Sequence, residues 1–193
     1  MVHFHAIGHI TTDIIRRETR DGVTASFRFC SGIPGQSRLW ITAEATGHTA
    51  GRIHSHGHVD RAVLIAGQLT QRTWRDRTTQ QQRRRLVVLA ATVELLPASD
   101  HAAMHNHTIT HGRLTTDGDT DQLTLVTGRT GTTAGKIWLP ISTWEHTRGT
   151  EHLTPGNTIT IAGRLAYNKH ADPGRYHLVA QTLTTAKLTS AGS

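Results

Sequence analysis

The chain has 193 residues, 36% hydrophobic and 5% aromatic, enough for one large domain or for two small ones with modest cores. No apolar run approaches the roughly 18 residues of a membrane span, and Met1 to Ile10 lacks the charged start and apolar stretch of a signal peptide, so a soluble cytoplasmic protein is expected. Cys30 is the single cysteine, which excludes an intrachain disulfide and a thiolate metal cage, while 21 Lys and Arg against 14 Asp and Glu give a net charge of +7 and favour a polyanionic partner.

Along the chain the apolar residues come in short β-branched runs with strand spacing. Val2 to Ile10 reads as a first strand, and Val23, Ala25, Phe27 and Phe29 alternate through a second. Leu39-Trp40-Ile41 opens a third, Ala45 to Ile53 is the nearest approach to a helical pattern, and Ile65 to Leu69 lies in a fourth. After Pro97-Ala98-Ser99-Asp100 and His101 to His105 the order repeats. Gly8-His9-Ile10-Thr11-Thr12-Asp13 returns as Gly112-Arg113-Leu114-Thr115-Thr116-Asp117, and Leu39-Trp40-Ile41 as Ile137-Trp138-Leu139. Ile65-Ala66-Gly67-Gln68-Leu69 returns as Ile161-Ala162-Gly163-Arg164-Leu165. The offsets of 104, 98 and 96 shrink slowly, as expected of two copies of one module that differ by loop trimming.

The second copy has its own alternating strand from Thr158 to Leu165, and Thr143 to Leu153 holds the place of the short helix. Turn signals at Asp21-Gly22, Ser31-Gly32, Pro34-Gly35, Asp117-Gly118, Pro155-Gly156 and Pro173-Gly174 separate the runs. Five strands with a short helix or loop after the third is the order of an OB-fold. The expected fold class is all-β: two tandem OB-folds, each a five-stranded Greek-key barrel, at residues 1–98 and 107–193, joined by a linker at 99–106. The charge is shared unequally, with a net +6 on residues 1–98 and +1 on 99–193. Nearly all of it is arginine, which suits planar contacts to phosphate and base.

At these residues the sequence resembles the bacterial single-stranded DNA-binding protein family. Gly8 to Asp13, Asp21-Gly22 and Ala25 to Phe29 resemble the family's opening strand, first hairpin turn and second strand. Gly67-Gln68-Leu69-Thr70-Gln71-Arg72-Thr73-Trp74-Arg75-Asp76 resembles its fourth strand and long hairpin, where Gly-x-Leu-x-x-Arg-x-Trp leads to a base-stacking tryptophan. Residues 107–186 match more loosely, through Gly112 to Asp117, Trp138 to Trp144 and Pro155 to Leu165. The family carries one stacking aromatic at the start of the third strand and another six residues on. The resemblance puts Trp40 and then Thr46 at these places in the first copy, and Trp138 and Trp144 in the second. The hairpin position is Trp74 in the first copy and His170 in the second. All four tryptophans thus fall where the family stacks bases.

The resemblance implies single-stranded DNA binding through Trp40, Trp74, Trp138 and Trp144, with Arg72, Arg75, Arg77, Arg83, Arg84 and Arg85 on a protruding basic hairpin, and Arg164 and Tyr167 in the second copy. The physics agrees: any base offers a π-face, and one stack on an aromatic contributes roughly 1–3 kcal/mol. Without the resemblance, Trp40 and Trp138 read equally as core and the arginines as a solvated face. The family's usual four domains imply a homodimer of this two-domain chain, with Val2 to Ile10 and its neighbours as the interface.

Other patterns carry less. His54, His56 and His58, and the group His101, His105, His107 and His111, read as loop histidines, so no metal and no cofactor is expected. Gly128 to Gly131 and Gly135-Lys136 lack a full phosphate-loop pattern, Cys30 reads as a buried or edge thiol, and no spacing selects a catalytic set, so no enzymatic activity is expected. The end from Lys187 to Ser193 lacks the acidic, phenylalanine-bearing tip of the family, which argues against recruiting replication proteins through a tail. Ser31 to Ser37 carries no aromatic, so one stacking position is lost. The expected role is sequence-tolerant binding and protection of single-stranded DNA in replication, repair, recombination or plasmid transfer, on a nucleoid or plasmid. The alternatives are a primosome-like or protein-interaction OB scaffold with secondary nucleic-acid binding, and an OB module that prefers structured RNA.

Overall fold

The computed structural model describes residues 2–20, 22–32, 38–97, 105–116, 122–127, 136–168 and 175–185. The expectations placed on Asp21, Pro34-Gly35, His101, Asp117-Gly118, Gly128 to Gly131, Gly135, His170, Pro173-Gly174 and the end from Lys187 lie outside these residues, as do most of the linker and of the loop from Ser31 to Ser37.

The first half runs β1 (Val2–Ile10), β2 (Ile15–Thr19), β3 (Gly22–Ser31), β4 (Leu39–Thr46), α1 (Gly47–His56), β5 (Ala62–Arg75) and β6 (Gln82–Leu95). The second runs β7 (Asn106–Thr116), β8 (Leu123–Thr127), β9 (Ile137–Ser142), a 3-10 turn at Thr150–His152, β10 (Thr158–Asn168) and β11 (Arg175–Thr185). β7 therefore starts on the last residue of the expected linker.

In the first half β1 pairs with β3, β3 with β4, β4 with β6 in parallel, β6 with β5, and β5 with β1 again, which closes the sheet on itself. The second half repeats the circuit through β7, β8, β9, β11 and β10, and its one parallel pair, β9 with β11, falls at the same step. This is the strand order of a five-stranded Greek-key barrel, drawn twice. Alternation fixes the cores: β1 buries Val2, Phe4, Ala6 and Ile10 while His3 and His5 face out, and β10 buries Ile159, Ile161 and Leu165.

The sequence repeat has a steric cause. At Gly67 and at Gly163 the ladder to the neighbouring strand slips by a residue, and a Cβ at either glycine would collide with a facing carbonyl oxygen, of Leu89 and of Val179 respectively. A strand that must bend tightly at this point to close the barrel admits only glycine. Gly8 and Gly112 meet the same restriction from the carbonyls of Cys30 and Val126. The repeated motifs therefore mark the places where backbones approach most closely.

The halves are joined along two seams. β1 pairs antiparallel with β7 from Val2 opposite Thr110 to Ala6 opposite Asn106, so the two barrels share a continuous sheet. Over Val2 to Ala6 the edge of β1 turned away from β5 is thus hydrogen-bonded to its own chain, which leaves the outward face of the strand, and not this edge, for any contact between chains. At the second seam Ile137, Leu139 and Leu165 pack with the first-half core of Phe4, Phe27, Phe29, Ile41 and Ile65, whereas Leu114, Leu125, Ile159, Ile161 and Leu178 form a core within the second half. Among the described residues, no helix is long and apolar enough to cross a membrane.

Candidate nucleic-acid interface

The aromatic residues divide by type. Phe4, Phe27 and Phe29 are buried at 1%, 2% and 0% exposure, while Trp40, Trp74, Trp138 and Trp144 are exposed at 37%, 45%, 48% and 60%. The reading of Trp40 and Trp138 as core residues therefore fails. Burial of a tryptophan ring is strongly favourable, so four left in solvent on a chain with few aromatics form a feature that packing does not explain.

β5 and β6 continue beyond the barrel as a two-stranded arm, as the sequence led one to expect. Its register sets Arg72 opposite Arg85, Trp74 opposite Arg83 and Arg75 opposite Gln82. Directly opposed residues share a face, so Arg72, Trp74, Arg83 and Arg85 lie on one side of the arm and Arg75 and Arg84 on the other. The six arginines thus do not act as one cluster around Trp74. The Arg85 guanidinium lies 5.8 Å from the Trp74 ring centre, and Arg72 is held at 2.8 Å by Glu44 of β4. At the tip, Asp76 accepts backbone N–H bonds from Thr78 and Thr79, which draw its pKa down, and Arg83 at 3.9 Å adds to this. Arg77 sits in the same tip, where its carbonyl accepts from Gln80.

Trp40 lies on β4 opposite Cys30, and Thr42, the next residue on that face, is opposite Arg28. Arg28 and Trp40 therefore share the outward side of the first barrel with Glu44. Cys30 is buried, and that burial raises its thiol pKa while Arg38 opposes the rise.

In the second half Trp138 stands on β9 opposite Val126. Trp144 is set by its backbone: its N–H donates to the Thr147 hydroxyl at 2.8 Å, and that hydroxyl donates to the Ala180 carbonyl at 2.9 Å. The Arg164 guanidinium is 5.2 Å from the Trp144 ring centre, and the two side chains line a hollow with His146, Thr147 and Gln181. Tyr167 is half-buried, its ring 5.0 Å from that of Tyr176.

Sequence reasoning missed Arg28 and Tyr176. A signal for Tyr176 existed, because a Pro-Gly turn lies between it and Tyr167 in a hairpin pattern. The Tyr176 hydroxyl donates to the Trp40 carbonyl at 2.6 Å, tying β11 to β4. Burial raises its pKa to about 12, Tyr167 adds to the rise, and Arg28 and Arg85 oppose it.

The histidines divide as well. His54 and His56 are two apart on α1 and so point to different sides, with His58 beyond the helix. His105, His107 and His111 are exposed along β7 and its approach. Among the described residues, no group of three or more His, Cys, Asp or Glu side chains is placed to hold a metal ion.

No protein-family model and no curated protein sequence matches this chain. Solved structures do match. The wild-type single-stranded DNA-binding protein from Thermus aquaticus superposes with a TM-score of 0.72 at 16% identity, over 100% of this chain and 96% of that one. A deletion mutant of the Thermus aquaticus protein gives 0.70 at 15% identity, over 96% and 94%. With identity this low the likeness establishes the fold and nothing finer. The chain shares its fold with the Thermus aquaticus protein.

Proposed function

We propose that the chain binds single-stranded DNA without sequence preference and protects it in replication, repair, recombination or plasmid transfer, in the cytoplasm and without enzymatic activity. The supporting observation is the set of four exposed tryptophans on a chain whose three phenylalanines are all buried. Two of the four have a guanidinium over the ring, so a base stacked there would have a cation close by for its phosphate. The fold shared with a single-stranded DNA-binding protein supports the same reading. In this proposal residues 1–98 and 107–193 are two OB domains, Trp40, Trp74, Trp138 and Trp144 take bases, and Arg72, Arg83, Arg85 and Arg164 with Tyr167 complete the path.

The homodimer, with four OB domains in all, belongs to the same proposal, with β1 and its neighbours as the contact. Since the β1 edge is occupied, the second chain would dock on the outward face of β1, β5, β6 and β7, where Leu89 and Ile109 are exposed beside His3, His5 and His107. A solution mass that stays at 21.2 kDa at micromolar concentration would remove the dimer from the proposal.

The test of binding is tryptophan fluorescence during titration with an oligothymidine at low salt. Strong quenching is expected. If the emission does not change, the exposed tryptophans serve something else, and the protein-interaction scaffold becomes the better reading.

A further inference from the structure

In the first half an acid stands among the exposed rings. Trp40 and Glu44 share the outward side of β4, and Arg72 and Trp74 share one side of the arm. β6 lies between β4 and β5 in the sheet, so the 2.8 Å contact from the Arg72 guanidinium to the Glu44 carboxylate spans the outward face of a whole strand. The pair joins nothing that is not already joined: β4 is laddered to β6 from Thr42 to Ala45, and β5 to β6 from Val63 to Arg75. An exposed ion pair adds little to stability, and Arg72 keeps 54% of its side chain in solvent here.

The two acids beside the arm do different things. Asp76 accepts the backbone N–H groups of Thr78 and Thr79 and so shapes the tip. Glu44 shapes no turn, and it bonds a cation on the Trp74 side. Arg72 also stands directly opposite Arg85, and like charges so placed repel. An anion at Arg72 relieves that repulsion, and in the free protein the anion is Glu44. Carboxylate and phosphate oxygens bond a guanidinium in the same way, so the two compete for one group.

We propose that Glu44 is a built-in stand-in for a DNA phosphate: it neutralises Arg72 in the free protein, yields it when a strand lies on the first half, and takes it back on release. The proposal rests on the binding function inferred above and deepens it by naming the residue that sets the affinity of this half. A lone phosphate ion must displace a carboxylate already in place, whereas a strand held by its stacked bases brings its phosphate at high effective concentration. Glu44 thereby favours an anchored polymer over small anions. It also mutes the response to salt: when phosphate replaces Glu44 at Arg72, the DNA releases a counterion and the freed carboxylate takes one up. With the carboxylate gone, the same contact counts in full.

The test is fluorescence titration of the full chain with a long oligothymidine, comparing the parent with Glu44→Gln, Arg72→Ala, the double variant and Glu94→Gln. Glu44→Gln keeps the shape of the side chain and should steepen the slope of log affinity against log salt by roughly 0.7, which between about 1 M and about 0.05 M salt amounts to a gain of roughly eightfold. Glu94 is exposed at the end of β6 far from the arm, so Glu94→Gln removes the same charge and should leave the slope as it was. Arg72→Ala should weaken the Glu44→Gln variant several times more than it weakens the parent. If the parent is quenched by DNA while Glu44→Gln, with a native melting temperature, binds no tighter and with the parent's slope, the proposal is overturned and the binding function stands. An equal effect of Arg72→Ala in both backgrounds, or of Glu94→Gln and Glu44→Gln, overturns it too, since Glu44 would then act through net charge and not through Arg72. Absence of quenching in the parent overturns both readings.

Discussion

The two halves share one circuit of strands but mount their aromatic surfaces differently. In the first, β5 and β6 are 14 residues each and run out into an arm that carries Trp74 with Arg85 over it. In the second, β10 and β11 are 11 residues each, and the ring paired with a cation is Trp144, in the turn after β9, with Arg164 over it. The repeat aligns Trp144 with Thr46 and Arg164 with Gln68. In the first half Thr46 is instead the N-cap residue of α1. At this pair ring and guanidinium change together: the second half has both and the first has neither. A pair that comes and goes as a unit is what a binding station requires, because stacking without a cation, or a cation without a ring, holds only part of a nucleotide.

The equivalence of the halves breaks first, if it is wrong, at the bulge glycines. Gly67→Ala and Gly163→Ala each drive a Cβ into a backbone carbonyl that cannot rotate away. Both should cost about 3 kcal/mol in chemical denaturation, the upper end for overpacking. A large loss at one and none at the other would mean that only one barrel depends on its bulge. The binding comparison comes next. Trp74→Ala and Trp144→Ala should each weaken oligothymidine binding by about 1–3 kcal/mol. An effect from Trp74→Ala alone would show that the second half contributes fold and no binding.

Most of the fold was legible because its causes are local. Period-two alternation in Val23 to Phe29 and in Thr158 to Leu165 is enough to orient a strand, and the paired Gly67 and Gly163 motifs mark one bend made twice. The arm was legible too, since Trp74 and the arginines around it lie on contiguous strands. Facing was harder: that Arg84 and Arg85 fall on opposite sides of the arm follows from register, which depends on the bulge at Ala66/Gly67. The joints were not legible, since β1 with β7, and Tyr176 with Trp40, bring together residues about a hundred positions apart or more, and no local pattern records that the β1 edge is already taken.

A smaller effect tests the joint. Tyr176→Phe removes one hydrogen bond between the halves and should cost about 1 kcal/mol at neutral pH. The sign of its pH dependence follows from the raised pKa. The folded state holds the proton up to about 12 against a usual value near 10, so this stabilisation is complete below pH 10 and is lost as the pH climbs towards 12. Thermal unfolding of the parent should therefore fall over that window more steeply than that of Tyr176→Phe. Parallel curves would mean that the hydroxyl does not hold the seam.

The smallest effect separates the two faces of the arm. Arg85 lies on the Trp74 side and Arg84 on the other, yet they are neighbours with the same charge, so any response to net charge alone must be equal for both. Arg85→Ala removes a cation from the ring, worth roughly 0.5–1 kcal/mol at an exposed site, and with it one phosphate contact. The slope of log affinity against log salt should then flatten by roughly 0.7, while Arg84→Ala leaves it where it was. Arg164→Ala in the second half should match Arg85→Ala, because its guanidinium stands over Trp144 in the same way. Equal slopes for the Arg84 and Arg85 variants would show that DNA responds to the arm as a diffuse positive charge, and the facing of its strands would then have no part in binding.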